Sequence, residues 1–74
     1  MAKSVHTSWE KKLGKTIRAY RLQKGLTQQE AADEMRCPMR WWQSLEAGRN
    51  TSIDTLLRVA AVLKVPIWKL LKWD

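Results

Sequence analysis

The sequence has few of the residues that form covalent or metal cross-links. It contains one cysteine, Cys37, and one histidine, His6, and no phenylalanine. A single cysteine excludes an internal disulfide, and one Cys with one His cannot complete a structural zinc site. No carboxylate pair recurs at a spacing that would line a pocket. We therefore expect that the chain binds no cofactor and is not an enzyme.

Long apolar runs and alternating patterns are missing as well. The longest apolar stretches fall far below the roughly 18 residues of a membrane span, and nothing resembles a signal peptide. No segment alternates with period two over a useful length, so strands and hairpins are not expected. These absences predict an all-α chain that is soluble, cytoplasmic and of bacterial or phage origin. Its length of 74 residues predicts a single small domain.

Acidic residues are scarce relative to basic ones. Fourteen Lys and Arg face seven Asp and Glu, which leaves a net charge of +7. Such an excess favours a polyanionic partner, either nucleic acid or an anionic membrane surface. A membrane-surface peptide is excluded because the helices described below carry caps and several core stripes. Most of the excess lies in the first helix, whereas the segment 27–49 is close to neutral.

Helical periodicity begins at Trp9. Residues 1–8 show no pattern and predict a flexible arm, so the domain is expected to span residues 9–74. One helical stripe consists of Trp9, Leu13, Ile17 and Tyr20. Gly25 ends this first helix, because a residue without Cβ adopts the left-handed conformation at low cost.

Start signals predict four further short helices. Thr27 and Glu30 form a capping box at the second helix, and Pro38 opens the third. Ser52 is the expected N-cap of the fourth helix, and Pro66 opens the fifth, over 67–72. The expected apolar face of the fourth helix consists of Ile53, Leu56, Leu57, Ala60 and Leu63.

Residues 28–47 have the layout of a helix-turn-helix, with Trp42 and Leu45 facing inward. The segments LGKTIR, GLTQQEAA, LEAGRN and SIDTLLRVAAVLKV follow one another between residues 13 and 71. In this order and spacing they resemble the lambda-repressor/Cro helix-turn-helix family, also called the Xre family. The chain is also similar to small autonomous regulators, including restriction–modification controller proteins. The resemblance implies a compact five-helix DNA-binding domain, with the helix-turn-helix at helices 2–3.

The resemblance also implies roles for individual residues. The positions that would contact DNA bases are Met39, Arg40, Gln43 and Ser44. The positions that would contact phosphates are Gln28, Arg49 and Asn50. Arg21 and Glu46 match a family ion pair that braces the first helix against the third. Arg36 occupies a turn position that the family usually gives to glycine, so either the turn differs locally or the fold tolerates a strained residue.

Apolar residues near the C-terminus exceed what one small core can bury, and tryptophan is enriched at interfaces. The family commonly dimerises near its last helix. We therefore expect a homodimer interface formed by Val62, Ile67, Trp68, Leu71 and Trp73. The alternative is a C-terminal tail folded onto its own domain.

Two functional hypotheses follow. The first is a sequence-specific transcriptional regulator that binds a partly palindromic operator in double-stranded DNA as a homodimer, with helix 3 in the major groove. The second is an antitoxin-like interaction module whose main ligand is a partner protein. A toxin or a polymerase as protein partner stays open, as do the operator and the sign of regulation.

Overall fold

The computed structural model describes residues 2–49 and 52–72, with side chains from Trp9 onward. In chain order, the helices are α1 (Ala2–Gln23), α2 (Gln28–Met35), α3 (Met39–Glu46), α4 (Ile53–Leu63) and α5 (Ile67–Leu70). These described ranges contain helices and turns and no strand. The expected all-α, five-helix class is confirmed, with α2 and α3 as the helix-turn-helix.

The helix starts largely follow the local signals in the sequence. Thr27 caps α2 through a complete capping box with Glu30, in which the side chain of each residue binds the backbone N–H of the other. The Ser52 side chain accepts from the Thr55 amide at the start of α4. Pro38 stands one residue earlier than expected, as the N-cap of α3 and not its first helical residue.

Two helix boundaries differ from the sequence-based expectation. The backbone of α1 begins at Ala2 and includes residues 2–8, for which the sequence predicts an arm. This stretch contains neither Gly nor Pro, so nothing in it interrupts a helix that continues into the apolar stripe. Helix α5 ends at Leu70, two residues earlier than expected.

One hydrophobic core lies between all five helices. Trp42 is its largest fully buried side chain, and the small Ala31 and Ala32 are buried in the same cluster. The full set of buried apolar residues is Leu13, Ile17, Ala31, Ala32, Met35, Trp42, Leu45, Leu56, Val59, Ala60, Leu63 and Leu70. The predicted stripe of α1 enters this core at Leu13 and Ile17, while Trp9 and Tyr20 cover its edge.

The predicted inward face of α4 is wrong at two positions. Ile53 is 62% exposed and Leu57 is 50% exposed. The prediction is confirmed for Leu56, Ala60 and Leu63, which are buried, and the core side of α4 also includes Thr55 and Val59. Ile53 and Leu57 have helical spacing but lie on the outer surface, and the spacing misleads because aliphatic residues occupy most of the circumference of α4.

Close backbone contact fixes α1 against the end of α3. A Cβ atom added at Gly14 would overlap the Glu46 carbonyl oxygen, and one added at Gly48 would lie 2.9 Å from the Glu10 carbonyl oxygen. No side chain separates the two chain segments at these points. This contact places α1 beside the C-terminal turn of α3, where the candidate site lies.

The turn between α2 and α3 contains a strained residue. Arg36 has φ 59° and ψ 48°, the left-handed conformation that a Cβ atom disfavours. The Cys37 amide donates to the Ala32 carbonyl at 3.0 Å. From α4, Arg58 Nη2 donates to the Met35 carbonyl at 2.9 Å. These bonds hold the turn in the left-handed conformation although position 36 is not glycine.

We expect Arg36→Gly to raise the free energy of unfolding by about 1 kcal/mol, because the Cβ strain disappears. Arg36→Ala is the matched control, since it removes the same charged side chain but keeps the Cβ atom. Urea denaturation of both variants and the wild type measures the difference. Equal stabilities of the two variants would contradict strain at this position.

Candidate nucleic-acid interface

One face of α3 is buried and the opposite face is open to solvent. Trp42 and Leu45 are fully buried, whereas Met39, Arg40 and Gln43 are exposed. Arg40 and Gln43 are three residues apart and therefore share a side of the helix. Three of the four residues expected to contact bases thus lie on the accessible side of α3.

Ser44, the fourth of these residues, is held within its own helix. It is half-buried, and its hydroxyl donates to the Trp41 carbonyl at 2.7 Å. A hydroxyl engaged in this way has no proton left to donate. Base contact by Ser44 stays a prediction, as an acceptor only.

The carboxylate of Glu46 lies at the junction of the first three helices. From α1, Arg21 donates through Nε to Oε2 at 2.5 Å and through Nη2 to Oε1 at 3.2 Å. From α3 itself, the Trp42 indole donates to Oε2 at 2.6 Å. From α2, Gln28 Nε2 donates to Oε1 at 3.0 Å. The carboxylate therefore links α1, α2 and α3 through hydrogen bonds.

The ion pair that the family resemblance implies is thus present, and it is largely shielded from water. The side chains of Arg21 and Glu46 are 8% and 6% exposed. Arg21 also donates through Nη1 to the Leu26 carbonyl at 2.8 Å, so it braces the α1–α2 loop as well. Such a pair fixes how the helices are arranged more than it adds net stability.

Electrostatics keep Glu46 ionised. Burial raises the pKa of this carboxyl group, but hydrogen bonds from Arg21, Trp42 and Gln28, together with the Arg21 charge, more than offset that effect. The net result is a lowered pKa. Elsewhere in the motif, burial raises the pKa of the Cys37 thiol, with partial compensation from Arg58. A thiol with a raised pKa is a poor nucleophile, in keeping with a packed turn residue.

Gln28 and Gln43 connect this ion pair to the exposed face of α3. Gln43 Nε2 donates to Gln28 Oε1 at 3.2 Å. Gln28 is half-buried at the start of α2, where free backbone N–H groups also favour an anion. The structure therefore brings one residue expected to contact phosphate together with one expected to contact a base.

Arg18 is a candidate contact residue that the sequence-based assignment did not include. It lines a shallow cleft together with Gln28 and Gln43. The available signal was its position, one helical turn before Arg21 on α1. A cation here adds positive charge beside a motif that is itself nearly neutral, which suits a phosphate.

Of the residues expected to contact phosphate after α3, one is described. Arg49 is exposed, and its amide donates to the Ser44 carbonyl at 2.8 Å. This bond fixes the backbone of the loop at the end of α3. Asn50 lies outside the described residues.

The surface expected to form a dimer contains both exposed and half-buried residues. Trp68 is 56% exposed and Leu71 is also exposed, whereas Val62 and Ile67 are half-buried and pack against the core. Trp73 lies outside the described residues. The ammonium groups of Lys69 and Lys72 each lie 5.9 Å from the centroid of the Trp68 ring.

Comparison with known proteins identifies the family. A family model described as a helix-turn-helix domain matches residues 12–67. The chain belongs to the helix-turn-helix domain family. Within residues 2–49 and 52–72, no helix of this helix-turn-helix protein is long and apolar enough to cross a membrane. The same residues contain no group of three or more His, Cys, Asp or Glu side chains that could hold a metal ion.

A solved structure resembles this helix-turn-helix protein closely. The crystal structure of the clp gene regulator ClgR from C. glutamicum superposes with a TM-score of 0.79 at 30% sequence identity. The alignment covers 85% of this chain and 83% of the ClgR chain. A search of curated protein sequences finds no match.

The lowered pKa of Glu46 generates a pH-dependence prediction. Glu46→Gln should reduce the free energy of unfolding at pH 7 by about 1–3 kcal/mol, because neutral hydrogen bonds replace charge-assisted ones. The unfolded-state pKa is about 4.3, and the folded-state pKa lies below it. The advantage of the wild type is therefore complete above that value and is lost as the pH falls towards the folded-state pKa.

Urea denaturation of both chains between pH 7 and pH 3 measures this effect. Glu34→Gln, which alters an exposed carboxylate on α2, is the control. A wild-type advantage that does not shrink in acid would show that the charge of Glu46 does not stabilise the fold.

Proposed function

We propose that this helix-turn-helix protein is a sequence-specific DNA-binding transcriptional regulator that inserts α3 into the major groove. The observation that carries the proposal is the exposed face formed by Met39, Arg40 and Gln43. Behind this face, Trp42 and Leu45 anchor α3 in the core. The likeness to a gene regulator of similar length supports the same function.

The exposed residues suit different base edges. The Arg40 guanidinium matches the O6 and N7 acceptors of guanine, and the Gln43 amide matches adenine. Met39 offers only apolar contact, for which a thymine methyl group is the natural partner. Ser44, as an acceptor, completes the proposed set of base-contacting residues.

Phosphate contacts would then flank α3 on both sides. Gln28 lies at the start of α2, and Arg18 of α1 lines the same cleft. Arg49 lies beyond the end of α3. Asn50 is proposed for the same role from the family resemblance. Contacts on both sides of the helix would fix its depth and direction in the groove without reading the sequence.

A homodimer on a partly palindromic operator is the second part of the proposal. Of the four proposed base-contacting side chains, only Arg40 and Gln43 can form bidentate contacts, which give limited discrimination at about 1–3 kcal/mol each. Doubling them on two half-sites about 34 Å apart multiplies the specificity. The exposed Trp68 and Leu71 support an interface at α5, to which Val62 and Ile67 add their accessible edges and Trp73 is proposed to contribute.

Selection of bound duplexes from a random DNA library, at near-physiological salt, tests the proposed function. We expect enrichment of an inverted repeat with fixed half-site spacing. Retention that is salt-sensitive but without sequence preference would contradict the proposal. It would favour the second hypothesis, an antitoxin-like module that binds a partner protein.

Replacing Arg40 should change sequence preference. Arg40→Ala should cost about 1–3 kcal/mol on the selected site and relax the preference at one base pair, because a bidentate contact to guanine is lost. Arg49→Ala is the comparison variant. It should weaken binding to all sequences alike and reduce the slope of log K against log salt by about one.

Competition binding to the selected site and its single-base variants, repeated at several salt concentrations, separates the two effects. If Arg40→Ala lowers affinity equally for every duplex, Arg40 contacts phosphate and not a base.

Trp68→Ala should shift the chain towards monomers, because a large apolar side chain leaves the proposed interface. Leu22→Ala is the matched control, since Leu22 is an apolar side chain of similar exposure (55%) that is not among the residues of the proposed interface. Sedimentation equilibrium at micromolar protein measures the mass of each variant. A dimer mass retained in Trp68→Ala would remove Trp68 from the interface.

A further inference from the structure

The orientation of the Gln43 amide is fixed from inside the protein. Gln28 contacts Glu46 on one side, at 3.0 Å, and Gln43 on the other, at 3.2 Å. It therefore forms a bridge between a buried carboxylate and a side chain on the exposed face of α3. The direction of each hydrogen bond in this bridge follows from the chemistry of its inner end.

The inner end accepts hydrogen bonds and cannot donate any. Each oxygen of the Glu46 carboxylate receives two donors: Oε2 receives Arg21 Nε and Trp42 Nε1, and Oε1 receives Arg21 Nη2 and Gln28 Nε2. An ionised carboxylate has about four acceptor positions, and all four are used. An amide oxygen of Gln28 facing Glu46 would place two acceptors in contact. The Gln28 NH2 group must therefore face inward, and its oxygen outward.

This orientation determines what Gln43 can offer to DNA. Because the Gln28 oxygen faces Gln43, Gln43 must donate one of its two amide hydrogens to it. Its own oxygen and one remaining N–H are left for a base. One acceptor beside one donor matches adenine N6 and N7, whereas guanine O6 and N7 require two donors.

Trp42 determines which end of residue 46 must be an oxygen. Its indole N–H lies 2.6 Å from Oε2, where Arg21 Nε also donates. The Oε2 position therefore faces two donors and has to hold an acceptor. The Oε1 position faces Gln28 at 3.0 Å and only a longer contact from Arg21, at 3.2 Å. If an NH2 group replaced one of the two oxygens of residue 46, it would therefore occupy the Oε1 position and face Gln28.

We infer that Trp42, Glu46 and Gln28 are positioning residues that fix the polarity of the Gln43 amide, so that Gln43 selects adenine against guanine. None of the three needs to touch the base itself. The inference rests on the proposed DNA-binding function and adds to it the origin of specificity at one base pair. It gives a second role to Gln28 besides its proposed phosphate contact.

Glu46→Gln reverses this chain of hydrogen bonds with a change of one atom. Trp42 and Arg21 Nε hold the oxygen of the new amide at the Oε2 position, so its NH2 group faces Gln28. The weaker 3.2 Å hydrogen bond from Arg21 Nη2 to the Oε1 position is lost, because an NH2 group cannot accept it. Gln28 then turns its oxygen inward and its NH2 group towards Gln43. Gln43 must accept from it, and both of its amide hydrogens become available to guanine. The substitution should therefore shift the preference at one base pair from adenine towards guanine.

Library selection followed by competition on the selected site measures the adenine-to-guanine affinity ratio at each position. We expect Glu46→Gln to lower this ratio at one position by about fivefold to 150-fold, the range of one bidentate contact. Gln28→Ala removes the bridge and should reduce the same ratio towards one. Gln29→Ala is the control on the same helix, since the Gln29 side chain donates to Asp33 on the exposed side of α2 and takes no part in the bridge. Circular dichroism reports whether each variant is folded.

The outcomes separate the inference from the proposed function. If the wild type enriches a site but both variants keep its base ratios at every position, the inference is overturned and the function stands. A uniform loss of affinity in Gln28→Ala, with unchanged ratios, identifies a phosphate contact and also overturns it. If the wild type enriches no sequence, the proposed function fails and the inference fails with it. Should Glu46→Gln unfold the chain, the ratio in Gln28→Ala alone decides.

Discussion

The buried carboxylate of Glu46 is the constraint on which the arrangement of the first three helices depends. A charge in a partly dry environment is costly unless donors surround it, and here each of the three helices supplies at least one. Removing any donor would leave part of that cost unmet. The carboxylate therefore specifies one mutual position of α1, α2 and α3, whereas aliphatic packing alone would tolerate several.

This arrangement also explains how a nearly neutral motif can serve as a nucleic-acid interface. The negative charges of the motif include Glu46, which Arg21 neutralises inside the domain. Arg18 on α1 and Arg49 after α3 lie on the accessible surface. The charge on the surface that faces DNA thus depends on which charged groups are paired inside the domain. A count of charged residues along the sequence does not distinguish paired groups from exposed ones.

The sequence predicted the class of fold and most helix starts because those depend on neighbouring residues. The capping box of Thr27 and the cap of Ser52 are local signals that can be recognised within four residues. The outward position of Ile53 and Leu57 was missed because α4 is aliphatic on most of its circumference. Choosing its buried side requires knowing where the other helices lie, and that information is not local.

In the candidate site, too, some features depend on neighbouring residues and others depend on how the helices are assembled. Exposed positions on α3 follow from helical periodicity once Trp42 and Leu45 are placed inward. Helical spacing also places Trp42 and Glu46, four residues apart, close enough to touch. A Trp and a Glu at this spacing do not by themselves indicate a hydrogen bond, however, so the sequence did not predict it. The bridge from Glu46 through Gln28 to Gln43 joins residues up to 18 positions apart, so it becomes visible only when the three helices are assembled.

The close approach at Gly14 and Gly48 has a consequence for how the domain can fit a duplex. Because main chain meets main chain there, α1 and the end of α3 cannot slide or tilt to accommodate a misplaced phosphate. When the DNA-binding surface is rigid, the DNA has to change its shape to fit the protein. Steps that bend or untwist easily would then bind better than rigid ones, so base pairs that no side chain touches would still be distinguished by their deformability.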